Sequence, residues 1–250
     1  MQKEKRNKAK EITLESPSIL YQDQAVLVVN KPSGWVVNDS QTTANQTTLQ
    51  SWLSTLNYEI AKDHTLRSGI VHRLDKETSG VIIIAKTPES FAQLQDQFKL
   101  RKTEKTYTAL VHGKVDPDEG GVNVPIGRLP WNRQHFGVLP GGRQSTTYYK
   151  VINYYQDLAN IYSLLEVHPI TGRTHQIRVH LKYAGYPLVS DPLYTGKKAF
   201  KKDRVWCSRL FLHASSISFF HPTSGEKINF SAELPANLLQ PLNALQLVKK

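Results

Sequence analysis

Residues 69–87 read GIVHRLDKETSGVIIIAKT. An aspartate, Asp75, follows Arg73 and Leu74 and precedes a Thr78-Ser79-Gly80 turn, which feeds four β-branched residues, 81–84. An apolar run without polar alternation predicts a strand buried on both faces. A loop seated on such a strand holds its side chains in place, so Asp75 is a candidate catalytic group. Aspartate is also a common turn former, and spacing alone leaves both readings open.

Upstream, residues 25–30 (AVLVVN) predict a strand, Lys31-Pro32-Ser33-Gly34 a turn, and residues 35–38 a second strand. A polar loop at 39–48 precedes a short helix over about 48–56. Downstream, Thr87-Pro88 reads as an N-cap followed by proline at the first helical position, with Phe91, Leu94 and Phe98 on one face. The helix ends in a basic segment, KLRKTEK at 99–105. Next comes an alternating strand with Tyr107, Ala109 and Val111 on one side. Residues 116–145 are rich in Gly, Pro and Arg and read as loops with short strands at 122–124 and 137–139; longer strands follow at 146–154 and 161–168. Thr174 is placed to cap a helix running to Ala184, with Ile177, Leu181 and Ala184 as its buried stripe and Gly185 as its stop. A basic cluster, KKAFKKDR, occupies 197–204, and the chain closes with strands near 211–220 and 227–230 and a Leu-rich helix. Blocks of strands with few helices predict an α+β fold with a mixed, mainly antiparallel central sheet flanked by helices and loops. Residues 1–16 read as a basic flexible tail and 17–250 as one domain.

The 250 residues carry a formal net charge of +11. Such an excess favours polyanionic partners, nucleic acid foremost. The single cysteine, Cys207, allows no intrachain disulfide, which suits a reducing cytoplasm. No apolar run is long enough for a membrane-spanning helix, and the charged N-terminus is no secretory signal.

Several chemistries lack their residues. There is no G-x-S-x-G elbow, Gly-rich phosphate loop, H-E-x-x-H or C-x-x-C, so no metal site is expected. His175 and His180 lie about 140° apart around a helix and cannot chelate one ion from one face. What remains is an aspartate on a loop, a tyrosine starting a strand and an arginine, Arg178, near a helix start. A guanidinium keeps a carboxylate ionised and oriented, and a tyrosine offers a flat face and a hydroxyl. Singly, Tyr107 also fits an ordinary strand aromatic and Arg178 a solvated helix residue.

HRLDKETSG (72–80) resembles the signature of the RluA family of RNA pseudouridine synthases. NKPSG (30–34) is similar to that family's upstream motif, KTYTALVHG (105–113) to its tyrosine-bearing strand, and HPITGRTHQIRVH (168–180) to its third motif. The likeness runs in order from about residue 19 to 235. It implies the pseudouridine synthase fold, with an active-site cleft across the sheet. It also implies a cofactor-independent isomerisation of uridine to pseudouridine in structured RNA. Asp75 would be the catalytic aspartate, attacking C1′ of the target ribose or promoting glycosidic cleavage by abstraction of the 2′ proton. Tyr107 would stack on the base and assist deprotonation at C5, Arg178 would pair with Asp75, and Arg73 would fill the gap left by the flipped base. His72, Lys102, Lys105, Arg133, Arg173 and His175 complete the side chains expected to touch RNA.

The expected partner is a stem-loop of ribosomal or transfer RNA, met by a cytoplasmic monomer. Many relatives carry an N-terminal S4 domain; the sixteen residues before the body are too few for one, so target choice is expected to rest on the catalytic domain. Residues 125–143, with Arg128, Trp131, Arg133, His135 and Arg143, are the candidate specificity loop, or else a plain connection between strands. The rival function is a non-catalytic RNA-binding or RNA-chaperone protein of the same fold. A glycoside hydrolase is disfavoured, because the signature loop supplies Asp75 and Glu77 without a second matched carboxylate site.

Overall fold

The computed structural model describes residues 15–40, 43 and 46–248, apart from the side chains of Arg133 and Gln134. Most of the expected basic tail, and part of the 39–48 loop, lie outside the described residues. The elements in chain order are β1 (Ser18–Gln22), β2 (Val26–Lys31), α1 (Leu49–Leu53), β3 (Ser79–Ala85), α2 (Pro88–Lys99), β4 (Glu104–His112), β5 (Glu119–Asn123), β6 (Ile126–Leu129) and β7 (Asn132–Val138). They continue with β8 (Thr146–Gln156), β9 (Ile161–Pro169), α3 (Gln176–Tyr183), α4 (Lys197–Trp206), β10 (Leu212–Phe220), β11 (Lys227–Ser231), α5 (Ala236–Asn243) and β12 (Gln246–Val248).

One ten-stranded sheet runs in the order β1-β2-β3-β10-β4-β9-β8-β12, with β11 paired to β10 and β5 to β8; β6 and β7 form a separate hairpin. The β3–β10 pairing is parallel and short, His213 opposite Ser79 and Ala214 opposite Gly80. This is the α+β, mainly antiparallel architecture expected. Every residue of β3 is buried. Val81 and Ile83 pack on one face with Phe91 and Leu94 of α2, and Ile82 and Ile84 on the other with Leu49 and Leu53 of α1. The β4–β9–β8 half carries its own two layers, with Ala109 and Val111 on one face and Leu110 on the other. No helix among the described residues is long and apolar enough to cross a membrane.

Capping explains where the helices begin. Thr87 accepts a hydrogen bond from the Ser90 amide, and Pro88 occupies the first helical turn, as expected. Helix α3 departs from expectation. Its N-cap is His175, in a left-handed conformation (φ 55°), and not Thr174. The Gln176 side chain takes over, accepting from the Thr171 hydroxyl and the Arg173 amide and donating to the Thr146 carbonyl and Thr147 hydroxyl. The strand expected at 35–38 reduces to one bridge between Val36 and Thr48. The Val36 and Val37 carbonyls accept instead from Leu49 and Gln50, the opening amides of α1. That helix is shorter than expected, and the 197–204 basic cluster forms a helix, α4. The 125–143 stretch is chiefly the β6–β7 hairpin.

Gly80 permits the β3–β10 contact. Its φ is +117°, and a Cβ there would lie 2.1 Å from the Ala214 carbonyl oxygen. Replacing it adds left-handed strain to a backbone clash. Gly80→Ala is expected to destabilise the protein by roughly 3 kcal/mol or more, read as a lowered urea midpoint; an unchanged midpoint would show that the two strands part without cost.

Candidate active site

The loop bearing Asp75 is fixed through its backbone. The amide of Thr78 closes a turn onto the Asp75 carbonyl (3.1 Å), and the Gly34 amide donates to the Lys76 carbonyl (2.8 Å). The Ser33 hydroxyl donates to the Glu77 carbonyl at 2.8 Å. Lys31 is wholly buried, and its Nζ donates to the carbonyls of Pro32 (2.9 Å), Trp35 (3.0 Å) and Lys76 (3.3 Å). Burial, helped by the Arg209 charge, pulls the Lys31 ammonium down to about 7. The NKPSG turn is therefore a clamp on the signature loop.

The other end of the loop is held by Arg209, whose Nη2 donates to the Glu77 carbonyl (3.2 Å) and the Ser79 hydroxyl (2.8 Å). Ser79 Oγ lies 2.9 Å from His213 Nδ1, and His213 Nε2 lies 3.0 Å from the Ala232 carbonyl. The carbonyl can only accept, so Nε2 carries the proton and Nδ1 accepts from Ser79.

Arg178, on α3, is buried and meets two carboxylates. Its Nε and Nη2 donate to Asp191 at 2.8 and 2.7 Å, a bidentate pair. Its Nη1 lies 3.6 Å from Asp75 Oδ2. Arg178 and Asp75 thus meet, but as a longer ion pair; Asp191 is the primary partner. Burial opposes the guanidinium charge, yet the Asp191 hydrogen bond and the two carboxylates hold its pKa above the ordinary value. The Asp191 carboxylate also accepts the Leu193 and Tyr194 amides. Tyr194 places its ring 5.1 Å from the guanidinium carbon and its hydroxyl 2.8 Å from His175 Nδ1.

A cleft of about 510 Å³ opens over these groups. Asp75 leads into β3 and Tyr107 lies on β4, with only β10 between them in the sheet. Tyr107, Asp75 and Arg178 all line the cleft, as do His72, Arg73, Lys105, Arg173 and His175. Burial, and then the Asp75 charge, push the Tyr107 phenol well above its ordinary value, so it keeps its proton. Burial draws Lys105 down to about 8. His72 uses its Nε2 to accept the Ile83 amide (2.9 Å) and stacks on Phe98; burial, with the Lys105 charge, lowers it to about 3. It is a neutral wall of the cleft. Arg73 is exposed at the rim, also bordering a smaller cavity of about 330 Å³.

Lys102 is not drawn in: it is exposed and lies outside the cleft lining, because the chain turns through a left-handed Arg101 (φ 59°) that faces the cleft instead. The Arg133 side chain lies outside the described residues. Helix α4 does not line the cleft; its Asp203 bonds His112 at the far end of β4, roughly 17 Å from Tyr107 at strand spacing. The sequence reading missed Asp191, Lys31 and Arg209. Residues 188–194, LVSDPLY, which also resemble the family, place an acid close downstream of the Arg178 helix.

The family described as RNA pseudouridylate synthase matches residues 25–183. An "Uncharacterized RNA pseudouridine synthase" of Chloroflexus aurantiacus is 42% identical over 217 residues, covering 87% of this chain and 66% of that protein. A "Ribosomal large subunit pseudouridine synthase D" of Neisseria meningitidis is 39% identical, covering 92% of this chain and 61% of that protein. The solved structure of "Human RNA Pseudouridylate Synthase Domain Containing 1" superposes with a TM-score of 0.71 at 26% identity, covering 94% of this chain and 89% of that one. The chain belongs to the RNA pseudouridylate synthase family. It spans about two thirds of the length of these two curated relatives.

Asp191→Ala would leave a buried guanidinium without its main partner, a loss of about 3–5 kcal/mol for a broken buried pair. Urea unfolding should show a drop of that size; a loss under 1 kcal/mol would mean that Asp75 alone satisfies Arg178.

Burial, only partly offset by the Ala232 carbonyl, lowers His213 from an ordinary 6.5 to about 4. Between those pH values the unfolded chain takes up a proton that the native imidazole refuses, so stability falls as pH drops from 6.5 to 4. The wild-type urea midpoint should decline over that window, and His213→Gln should flatten the decline. Parallel curves for the two proteins would exclude His213 as the source.

Proposed function

We propose that this protein isomerises a uridine to pseudouridine in a structured RNA, with Asp75 as the catalytic carboxylate. One observation carries the reading above the rest: Asp75 sits in a cleft beside a guanidinium that is itself locked by a second acid, and Tyr107 lines the same cleft. A non-catalytic RNA-binding protein would need no such set.

The reaction moves atoms within one nucleotide. The N1–C1′ bond breaks, uracil turns, C5 bonds to C1′, and the proton lost from C5 is balanced by one gained at N1. No electrons enter or leave, so the balance calls for no redox partner or external nucleophile. Asp75 starts the sequence either by adding to C1′ or by drawing the 2′ proton; in both courses Arg178 orients the carboxylate and offsets charge as it changes. Tyr107 presents a ring face to the base and helps at C5 as a neutral phenol, through a hydrogen bond.

A uridine in a stacked strand must first be extruded, at a cost of a few kcal/mol. Arg73, exposed at the rim, is placed to stack in the vacated position. Lys105, Arg173 and His175 would contact the strand inside the cleft. The β6–β7 hairpin packs Phe136 edge-on to His175 and presents Trp131, 76% exposed, at its turn. This supports its role as the element that reads the RNA around the target. The name of the Neisseria relative supports large-subunit ribosomal RNA as substrate, with transfer RNA the other candidate.

The test is pseudouridine mapping of unmodified ribosomal and transfer RNA after incubation with wild type and with Asp75→Asn. New pseudouridine is expected with wild type alone, while Asp75→Asn keeps RNA affinity within several-fold. Turnover by the variant would remove the carboxylate from the mechanism, and no new site with either protein would sink the enzymatic reading.

A further inference from the structure

Three guanidinium groups converge on the cleft wall from three separate connections: Arg101 after α2, Arg143 before β8 and Arg173 before α3. None has a carboxylate within ion-pair distance among the described residues. Arg173 Nε is buried without a hydrogen-bond partner. The charges act on one another: burial first, then Arg143 and Arg101, draw the Arg173 pKa below its ordinary value.

The backbones beneath are fixed. The Arg101 amide donates to the Phe98 carbonyl at 3.3 Å. Arg143 and Ile126 exchange both backbone hydrogen bonds, at 2.8 and 3.0 Å. The Arg173 amide donates to the Gln176 side chain at 3.0 Å. Arg101 is held in a left-handed conformation that costs a non-glycine residue roughly 1 kcal/mol or more. A fold that anchors three like charges together, one with an unused buried donor and one on a strained backbone, has the arrangement of an anion site without its anion. Arginine's planar fork suits a tetrahedral oxyanion, and several forks can share one.

We infer that Arg101, Arg143 and Arg173 form a single seat for one phosphodiester group of the RNA strand that enters the cleft. The inference rests on the RNA-modifying reading above and adds to it a fixed point that sets the strand's register against Asp75. Lys105 and Arg73, elsewhere on the cleft lining, are not part of the seat.

The test is the salt dependence of binding to a synthetic RNA hairpin with one loop uridine, for wild type, each single Arg→Gln variant and the triple variant. Neutralising one phosphate of a single strand contributes a log–log slope of about 0.7. One shared phosphate predicts that the triple variant's slope is shallower by about 0.7, with each single variant changing it by less than that. Three independent contacts would lower it by roughly 2.1, and no contact would leave it unchanged; either result overturns the seat. A measurement without RNA also detects any variant that fails to fold. Each single variant should unfold at equal or higher temperature than wild type, since like-charge repulsion is relieved. Low millimolar inorganic phosphate, at constant ionic strength, should raise the wild-type unfolding temperature and not the triple variant's. A phosphate response retained by the triple variant would also overturn the seat. The isomerase reading fails in the mapping experiment, whereas this one fails in the slope and in the phosphate response.

Discussion

The bidentate pair between Arg178 and Asp191 is the constraint on which the rest of the site depends. A buried guanidinium is tolerable only when its donors are used, and Asp191 uses two of them at 2.7–2.8 Å. The Asp191 carboxylate is itself fixed by the Leu193 and Tyr194 amides, so the guanidinium cannot rotate to follow Asp75. Nη1 is left 3.6 Å from Asp75 Oδ2, within ion-pair distance and beyond a hydrogen bond. A direct bidentate Arg178–Asp75 pair would have satisfied the arginine equally well while tying up both oxygens of the proposed catalytic carboxylate. Placing the strong pair on Asp191 leaves Asp75 oriented and still available.

The loop beneath is held by a different kind of contact. Lys31 and Arg209 are buried cations whose acceptors are mostly backbone carbonyls, among them those of Lys76 and Glu77 in the signature loop. Carbonyl acceptors repay desolvation less fully than carboxylates, and the lowered pKa of both cations records that cost. In return, the fold gains control of the peptide planes that follow Asp75 without adding a competing acid to hold them. Ser33 and Gly34 add neutral bonds to the same planes. The aspartate is positioned by its main chain and oriented by Arg178.

Much of this was legible in the sequence where the signal is local. The run Val81–Ile84 announced a strand buried on both faces, and alternate residues do enter two different clusters. Thr87-Pro88 announced its helix, and the alternation after Tyr107 announced β4. What was not legible depends on contacts that composition does not encode. Lys31 reads as a turn lysine, yet its carbonyl partner on Lys76 is 45 residues away; Arg209 reaches Ser79 across 130. The cap of α3 was misassigned because Thr174 has the right chemistry at the right place, while a glutamine already inside the helix ties down the preceding loop. The basic cluster at 197–204 carries no sign of its place in the fold, which the buried Asp203 sets by holding its helix at the other end of β4.

The charge layout of the cleft resolves a conflict inherent in this chemistry. In the proposed reaction an RNA strand would bring its phosphates toward the Asp75 carboxylate. Asp75 is the only acidic residue among those lining the larger cleft, whereas seven of its lining residues are lysine or arginine. Two kinds of cation are present. Arg178 is saturated by Asp191 and serves the aspartate. Arg101, Arg143 and Arg173 have no acidic partner among the described residues, and so are open to an incoming anion. Separating these duties matters because a guanidinium shared between Asp75 and a phosphate would release the aspartate each time RNA bound. With the duties apart, the approach of the strand compensates the unpaired arginines and leaves the Arg178–Asp75 geometry as it was.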